Sequence, residues 1–191
     1  MNPLLLLALV YFALVLILAQ GRAPNEYSAQ RHTISQLASQ GYPRRRLMQA
    51  GFVIYGLLFT VALLGEIRVS EAPLYRDLPH LVYGLALLPT GFYCAGPFTR
   101  GFKFSRREAR RHAFWAQLAG GAFGAGIAIH AVLYPRPWGR VFHAGSVLLY
   151  AAIAVWFVRS NSHKGLAQRL LYGYGSVWLF VTYGTGVFLS G

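Results

Sequence analysis

The chain has 191 residues, of which 55% are hydrophobic and only 12% are charged. Soluble domains usually carry about 25% charged residues, so this composition, together with several apolar runs of about 20 residues, excludes an ordinary soluble domain and indicates a polytopic membrane protein. The net charge of +13 comes from basic residues in short loops between apolar segments, which favours anionic lipid headgroups as partners and excludes nucleic acid.

The predicted fold class is all-α: one polytopic membrane bundle of six transmembrane helices that covers residues 1–191. The predicted spans are residues 3–19, 47–65, 79–97, 112–134, 141–158 and 167–189. The first is predicted to be a retained helix and not a signal peptide, because no basic region precedes it and its flank is a poor cleavage site. Pro89 predicts a kink inside the third span.

The basic residues predict an orientation in the membrane. Six spans place both termini on one side, and fourteen of the eighteen Lys and Arg residues fall on the other side. The positive-inside rule assigns that side to the cytoplasm, so we expect a multi-pass protein of the cell inner (plasma) membrane with both termini outside. The arginines expected at lipid headgroups are Arg44, Arg45, Arg46, Arg106, Arg107, Arg110 and Arg111.

The longest polar stretch, residues 27–51, follows the first span. Ser28 can cap a short helix, and Gly41 can end it with a positive φ. Ile34, Leu37 and Ala38 then fall on one apolar face. This pattern predicts a short interfacial helix that lies on the membrane surface.

This stretch also contains the most motif-like sequence of the chain. Tyr27-Ser28, the run TISQLA that begins at Thr33, and LMQAGF that begins at Leu47 together resemble the domain of unknown function nine-nine-eight family of prokaryotic six-helix integral membrane proteins. The resemblance marks Tyr27, Ser28, Ile34, Ser35 and Leu37 as family-motif residues. It implies a six-helix membrane fold, and it implies no reaction, because the family has no agreed activity.

Histidines and carboxylates concentrate on the side opposite the arginines. His80 opens the third span, and His130 and His143 flank the tight turn between spans four and five, with Asp77 three residues before His80. Neutral imidazoles with a carboxylate, Asp77 or Glu66, suit zinc, and a zinc-bound water would be the nucleophile of a hydrolase. The residues therefore define a candidate metal site.

The preferred interpretation of these histidines involves no cofactor. They would be interfacial side chains bonded to headgroups or water, with the acids paired to nearby arginines. A haem between His130 and His143 is a further alternative to zinc. We expect His32, His112 and His163, which lie among arginines, to be solvated loop or helix-start residues.

Catalytic motifs and charges inside the spans are nearly lacking from the sequence, whereas small residues suited to helix packing are frequent. The favoured function is therefore a structural or accessory membrane protein, such as a subunit of a larger complex with protein partners, and not an enzyme. The alternatives are an outward-facing metal-dependent hydrolase, a lipid-binding or lipid-transport module, and a haem-binding protein.

Overall fold

A computed structural model describes residues 2–70, 73–98, 101 and 103–184 of the chain. These residues form six α-helices and no strand, which confirms the all-α fold class. The helices are α1 (Pro3–Gly21), α2 (Arg45–Val69), α3 (Leu78–Phe92), α4 (Arg106–Leu133), α5 (Pro137–Arg159) and α6 (Lys164–Leu179). Two short 3-10 helices, Ile34–Ala38 and Leu74–Arg76, lie in the connections, and α6 continues directly into a π-helical segment, Phe180–Gly184.

The helices have the lengths and composition of a membrane bundle. Within the described residues, α1, α2, α4 and α5 are each long and apolar enough to cross a membrane, and α3 is apolar but shorter, at 15 residues. A polytopic membrane protein is thereby confirmed. The end of the predicted sixth span, residues 185–189, lies outside the described residues.

Consecutive helices pack against each other from α1 to α6. The first and last helices also meet, since the rings of Phe12 and Tyr172 lie 5.3 Å apart. Helices α2 and α3 approach closely at glycines, since a Cβ on Gly56 would stand 2.8 Å from the carbonyl oxygen of Gly84 and one on Gly91 would stand 2.6 Å from that of Gln49. From α6, Trp178 reaches across the bundle to His80 of α3, with ring centroids 5.1 Å apart. The centre of the bundle is therefore aromatic.

The third helix is shorter than predicted. Pro89 lies in its last turn, and the helix ends three residues later, at Phe92, where a span to residue 97 was predicted. The next residues are extended, and Ala95 donates to the carbonyl of Ala38 (3.3 Å) and accepts from the N–H of Gln40 (3.0 Å). The backbone groups of Ala95 are therefore satisfied by the segment around Ala38 and not by a further turn of α3.

The fourth helix begins earlier than predicted. The hydroxyl of Ser105 accepts the N–H of Glu108 (3.3 Å), and α4 starts at Arg106. Arg106, Arg107, Arg110 and Arg111 therefore lie in the first helical turns and not in a loop. His112 is buried and not solvated, which corrects the prediction for this histidine. Its Nδ1 lies 2.9 Å from the carbonyl oxygens of both Thr90 and Tyr93, where it caps the end of α3.

The short helix predicted after the first span exists as the 3-10 helix Ile34–Ala38, and Gly41 has the expected positive φ of 80°. Its apolar face, however, is buried against the bundle and does not lie against lipid. Ser28 does not cap it; Thr33 precedes it, and Gln168 of α6 accepts the N–H of Ile34 at 2.6 Å. The 3-10 helix lies inside the protein because Gln168 of α6 gives the N–H of Ile34 a hydrogen-bond partner there.

The bundle thus has two distinct ends. The end that carries the 3-10 helix Ile34–Ala38, the start of α4 and the start of α6 is called the basic end below. The opposite end carries the start of α3, the end of α4 and the start of α5, and it is called the histidine end.

Candidate functional site

The histidine end gathers polar side chains from α3, α4, α5 and the segment after α6. Asp77 directly precedes α3, His80 lies in its first turn, His130 in the last turn of α4, and His143 in the second turn of α5. Tyr183 comes from the π-helical segment after α6. All five side chains are buried, with 0–3% of their surface exposed. The structure therefore brings the four predicted site residues together and adds a tyrosine.

Three of these residues offer potential metal ligands at short range. One ligand atom each from Asp77, His80 and His130 lie within 4.8 Å of one another. The hydroxyl of Tyr183 stands among them: it donates to Oδ1 of Asp77 (2.7 Å), and it lies 3.4 Å from Nδ1 of His80 and 3.3 Å from Nε2 of His130. Glu66, the alternative carboxylate, is not part of this group.

Hydrogen bonding assigns the proton positions. Nδ1 of His130 lies 3.0 Å from the carbonyl oxygen of Gly126, and because a carbonyl only accepts, Nδ1 carries the hydrogen and Nε2 presents a lone pair. That lone pair faces the Tyr183 oxygen and lies 3.6 Å from Oδ1 of Asp77. The single hydroxyl hydrogen of Tyr183 is directed to Asp77. Two acceptors, Oδ1 of Asp77 and Nε2 of His130, therefore share one hydrogen in a buried space, with Nδ1 of His80 beside them.

The carboxylate of Asp77 is held on its outer side by Arg76. Its Oδ2 accepts from Nε (3.1 Å) and Nη2 (2.8 Å) of Arg76, which also donates to the hydroxyl of Ser70 (3.3 Å). This is the acid–arginine pairing expected for this side of the membrane. It fixes the carboxylate so that Oδ1 points inward to the histidines.

Trp178 fills the space between the three imidazoles. Its ring lies 5.1 Å from His80, 5.2 Å from His130 and 5.6 Å from His143, measured between ring centroids. Its Nε1–H donates to Nδ1 of His143 at 3.2 Å. His143 thus joins the cluster through Trp178 and not as a member of the close ligand group.

A glycine makes room for His80. A Cβ at position 126 would overlap the imidazole of His80, so α4 admits this ring only where it has no side chain. The same glycine supplies the carbonyl that orients His130. Gly126 therefore positions two of the three potential ligands.

Sequence reasoning missed Tyr183 and Trp178. Both belong to the sixth helical segment, and residues five apart on an α-helix are offset by about 140°, at about 100° per residue. The π-helical turns at Phe180–Gly184 change that offset and bring both side chains to the cluster. Such segments are frequent at functional sites, but the sequence contains no signal that places one here.

The family-motif residues form a separate network at the basic end. Arg169 donates from Nη1 to the carbonyls of Ala29 (2.7 Å) and His32 (3.0 Å), and from Nη2 to the hydroxyl of Tyr27 (2.6 Å). Burial raises the pKa of Tyr27, and the neighbouring Arg169 guanidinium partly offsets this. The motif therefore ties the polar stretch to α6.

Other motif residues hold the same segment. The N–H of Ser28 donates to Nδ1 of His32 at 2.8 Å, and burial lowers the pKa of this histidine. Ile34, Ser35 and Leu37 are buried under the bundle end. Each motif residue is thus accounted for by the local fold.

The seven arginines expected at headgroups all lie at the basic end. Arg44, Arg46, Arg106, Arg107, Arg110 and Arg111 are exposed, and Arg45 is partly exposed. The structure brings three of them, Arg107, Arg110 and Arg111, to one groove on α4. Contact of these arginines with lipid remains a prediction.

Fold and site together define a polytopic α-helical membrane protein with a buried carboxylate–imidazole–phenol cluster at one end. The chain belongs to the DUF998 family, because the family model described as "Protein of unknown function (DUF998)" matches residues 6–184. This confirms the family resemblance of the motif. No curated protein and no solved structure matches the chain.

Proposed function

We propose that this protein is a metal-dependent membrane hydrolase that binds a divalent cation of the zinc class with Asp77, His80 and His130. One observation carries the proposal: ligand atoms of three buried side chains lie within 4.8 Å of one another around a single hydroxyl hydrogen. Buried acceptors without donors are costly. A cation at this position would satisfy all three.

The donor set suits zinc. Two imidazole nitrogens and one carboxylate oxygen, with a fourth position for water, are the ligand pattern of catalytic zinc sites. Metal-binding histidines usually donate their other ring N–H to a carbonyl or carboxylate, as His130 does to Gly126. Arg76 gives Asp77 a similar outer support. Binding requires bonds of about 2 Å, for which the Tyr183 hydroxyl has to move from the centre of the cluster.

The residues around the cluster suit hydrolysis. The cation would supply a water molecule with its pKa lowered to about 7 as the nucleophile. Tyr183 would then donate its hydroxyl hydrogen to the negative charge that develops on the substrate oxygen. Trp178 excludes bulk water from the imidazoles, and Arg76 keeps the Asp77 carboxylate in one orientation.

The position of the cluster favours an amphiphilic substrate. His130 lies in the last turn of α4, and one helical turn spans about 5.4 Å. A polar headgroup near the membrane surface could therefore reach the site while its apolar chains stay beside the helices. Haem is not proposed, because Trp178 already contacts all three imidazoles in the space that a porphyrin would need.

Metal content tests the binding step. The wild-type protein and the variants D77N, H130Q and H163Q would be purified in detergent, exposed to Zn²⁺, passed through a desalting column and measured by inductively coupled plasma mass spectrometry. His163 is a matched control, since it is a histidine of the basic end bonded to Ser162. We expect about one equivalent of zinc in wild type and H163Q, and at least a tenfold loss in D77N and H130Q. Wild type without zinc would refute the proposal.

Hydrolysis is a second, separate measurement. A fluorogenic fatty-acyl ester in mixed micelles is the probe, and we expect cleavage that a chelator abolishes, that Zn²⁺ restores and that D77N lacks. Stoichiometric zinc without cleavage of acyl or phosphate esters would refute the hydrolase and support the accessory-protein hypothesis, with zinc in a structural role.

A further inference from the structure

A second feature lies at the opposite end of the molecule, on the outer face of α4. An open groove of about 440 Å³ runs along its first three turns. It is lined by three arginines and three aromatic residues, Arg107, Arg110, Arg111, Tyr93, Phe114 and Trp115. The arginines line the part nearest the start of the helix, and Phe114 and Trp115 lie one turn further on.

The charge of this groove is uncompensated by its own walls. None of its six lining residues is acidic. The nearest acid of the same helix, Glu108, is used elsewhere, since its Oε1 accepts the N–H of Cys94 at 3.0 Å. The guanidinium of Arg111 lies over the Tyr93 ring, 5.4 Å from its centroid, which holds this side chain at the groove. The positive charge of the groove favours binding of an anion.

The aromatic part of the groove calls for an apolar group. Phe114 is 59% exposed, as many large apolar side chains on the outer faces of these helices are, and lipid covers such faces in a membrane protein. Trp115 is partly buried beside it. Trp side chains at the ends of membrane helices sit at the level of lipid headgroups. The cationic and apolar parts are therefore ordered along α4 as phosphate and acyl chain are ordered in a lipid.

We infer that this groove binds an anionic phospholipid, with its phosphate among Arg107, Arg110 and Arg111 and the start of an acyl chain along Phe114 and Trp115. Arginine forms bidentate bonds to phosphate oxygens, and three of them give a site that a zwitterionic lipid fills less well. The site is independent of the histidine end.

The experiment measures lipid preference by tryptophan quenching. The full-length protein in detergent micelles is titrated with phosphatidylglycerol or phosphatidylcholine, each with brominated acyl chains that quench a nearby indole. The groove variant is R107Q/R110Q/R111Q. The chain offers a matched control, R44Q/R45Q/R46Q, which removes three arginines from the same end without touching the groove.

We expect wild type and the control to bind phosphatidylglycerol at least about tenfold more tightly than phosphatidylcholine, since each basic residue near an anionic headgroup contributes about 1 kcal/mol. The groove variant should lose this preference to within about threefold. W115F should lose the part of the quenching that the groove variant also loses, because Trp138, Trp156 and Trp178 lie outside the groove, and it should keep the preference in a lipid co-purification assay.

Two results would overturn the inference. Equal loss in the groove variant and the control would mean that total charge, and not the groove, attracts the lipid. A wild-type protein that binds both lipids equally, or that releases phosphatidylglycerol on addition of an equal concentration of inorganic phosphate, would exclude a lipid site. Correct folding of each variant is checked by its elution as a single species and by its helical circular dichroism.

Discussion

Each end of the bundle contains a cluster of hydrogen-bond acceptors. The two clusters differ in how many donors the chain supplies to those acceptors. At the basic end, acceptors surround a cation that belongs to the chain: Arg169 donates to three carbonyls, to the side chain of Gln20 and to the hydroxyl of Tyr27. At the histidine end, acceptors surround a single hydrogen of Tyr183. The first cluster has its cation at the centre, whereas Arg76, the cation of the second, bonds only the outer oxygen of Asp77. The centre of the second cluster is where we propose that a metal ion binds.

This difference distinguishes the structural cluster at the basic end from the candidate site at the histidine end. Arg169 donates hydrogen bonds to the backbone of the polar stretch, and these bonds satisfy the acceptors around it. At the histidine end, Nε2 of His80 is buried beside the ligand group and has no hydrogen-bond partner among the described residues. At the basic end the same holds for Oγ of Ser39 and Nε2 of His112, which lie outside the Arg169 network. Unsatisfied buried polar atoms are rare in folded proteins and ask for an explanation such as a ligand. Four experiments test this difference between the two ends.

The largest effect is expected from R169Q. The substitution removes the cation of the complete cluster, leaves the carbonyl of Ala29 without its side-chain donor and leaves that of His32 with only the Tyr27 hydroxyl. Hydrogen bonds to charged groups contribute about 1.5–3 kcal/mol each, and partial exposure of Arg169 lowers the total, so we expect a loss of roughly 3 kcal/mol. Thermal unfolding in detergent should fall by roughly 6–12 °C.

Two variants control for the loss of charge. R159Q removes an exposed arginine at the end of α5 and should change stability by less than about 0.5 kcal/mol. R169K keeps the charge but lacks the planar fork, so it should restore only part of the stability. If R169Q unfolds like wild type, the basic end is not a structural cluster and the comparison fails.

The second effect is a gain of stability at the incomplete cluster. Zinc added to metal-depleted protein at about 100 times its dissociation constant should stabilise the folded state by about 2.7 kcal/mol. D77N should show no such gain, because it removes the carboxylate of the ligand group. Mg²⁺ should have little effect on either protein, since it prefers oxygen ligands. An equal response of D77N and wild type would place the bound zinc elsewhere.

The third effect compares two glycines of α4. In G126A the new methyl group overlaps the His80 imidazole, which should cost about 1–3 kcal/mol and abolish the stabilisation by zinc. G121A is the matched control, because a Cβ there meets no atom within 4 Å. It should raise stability by about 0.5–1 kcal/mol through helix propensity and keep the zinc response. Thermal unfolding with and without Zn²⁺ measures both, and a zinc response retained in G126A would contradict the assigned role of this glycine.

Much of the fold could be read from the sequence, because apolar segment length reports membrane crossing directly. The predicted helix boundaries that were wrong depend on contacts between residues distant in sequence. Ala95 bonds to the segment around Ala38, and this coincides with the early end of α3, while Gln168 draws Ile34 into the bundle. Local pattern contains no information on such partners, so the helix around Ile34 was expected on the membrane surface.

The site was predictable in part for the same reason. His80, His130 and His143 could be placed at one end because helix direction alternates along the chain, and Asp77 follows from its spacing to His80. Tyr183 could not, because its direction depends on the π-helical turns at Phe180–Gly184. The role of Gly126 was equally hidden, since a close approach between a glycine and an imidazole is a property of two packed helices.

The smallest effect concerns pH at the basic end. Nδ1 of His32 accepts the N–H of Ser28, and burial followed by the charge of Arg31 lowers its pKa below the usual value of 6.5. The unfolded chain therefore takes up a proton at a higher pH than the folded one, so stability is complete above about pH 6.5 and falls as the pH drops below it. In H32Q the amide oxygen can accept the same N–H but does not titrate. The difference in unfolding temperature between pH 7.5 and pH 5.5 should therefore be larger for wild type than for H32Q, while the histidines of the opposite end titrate equally in both chains. Identical pH dependence would show that the bond from Ser28 does not rely on a neutral imidazole.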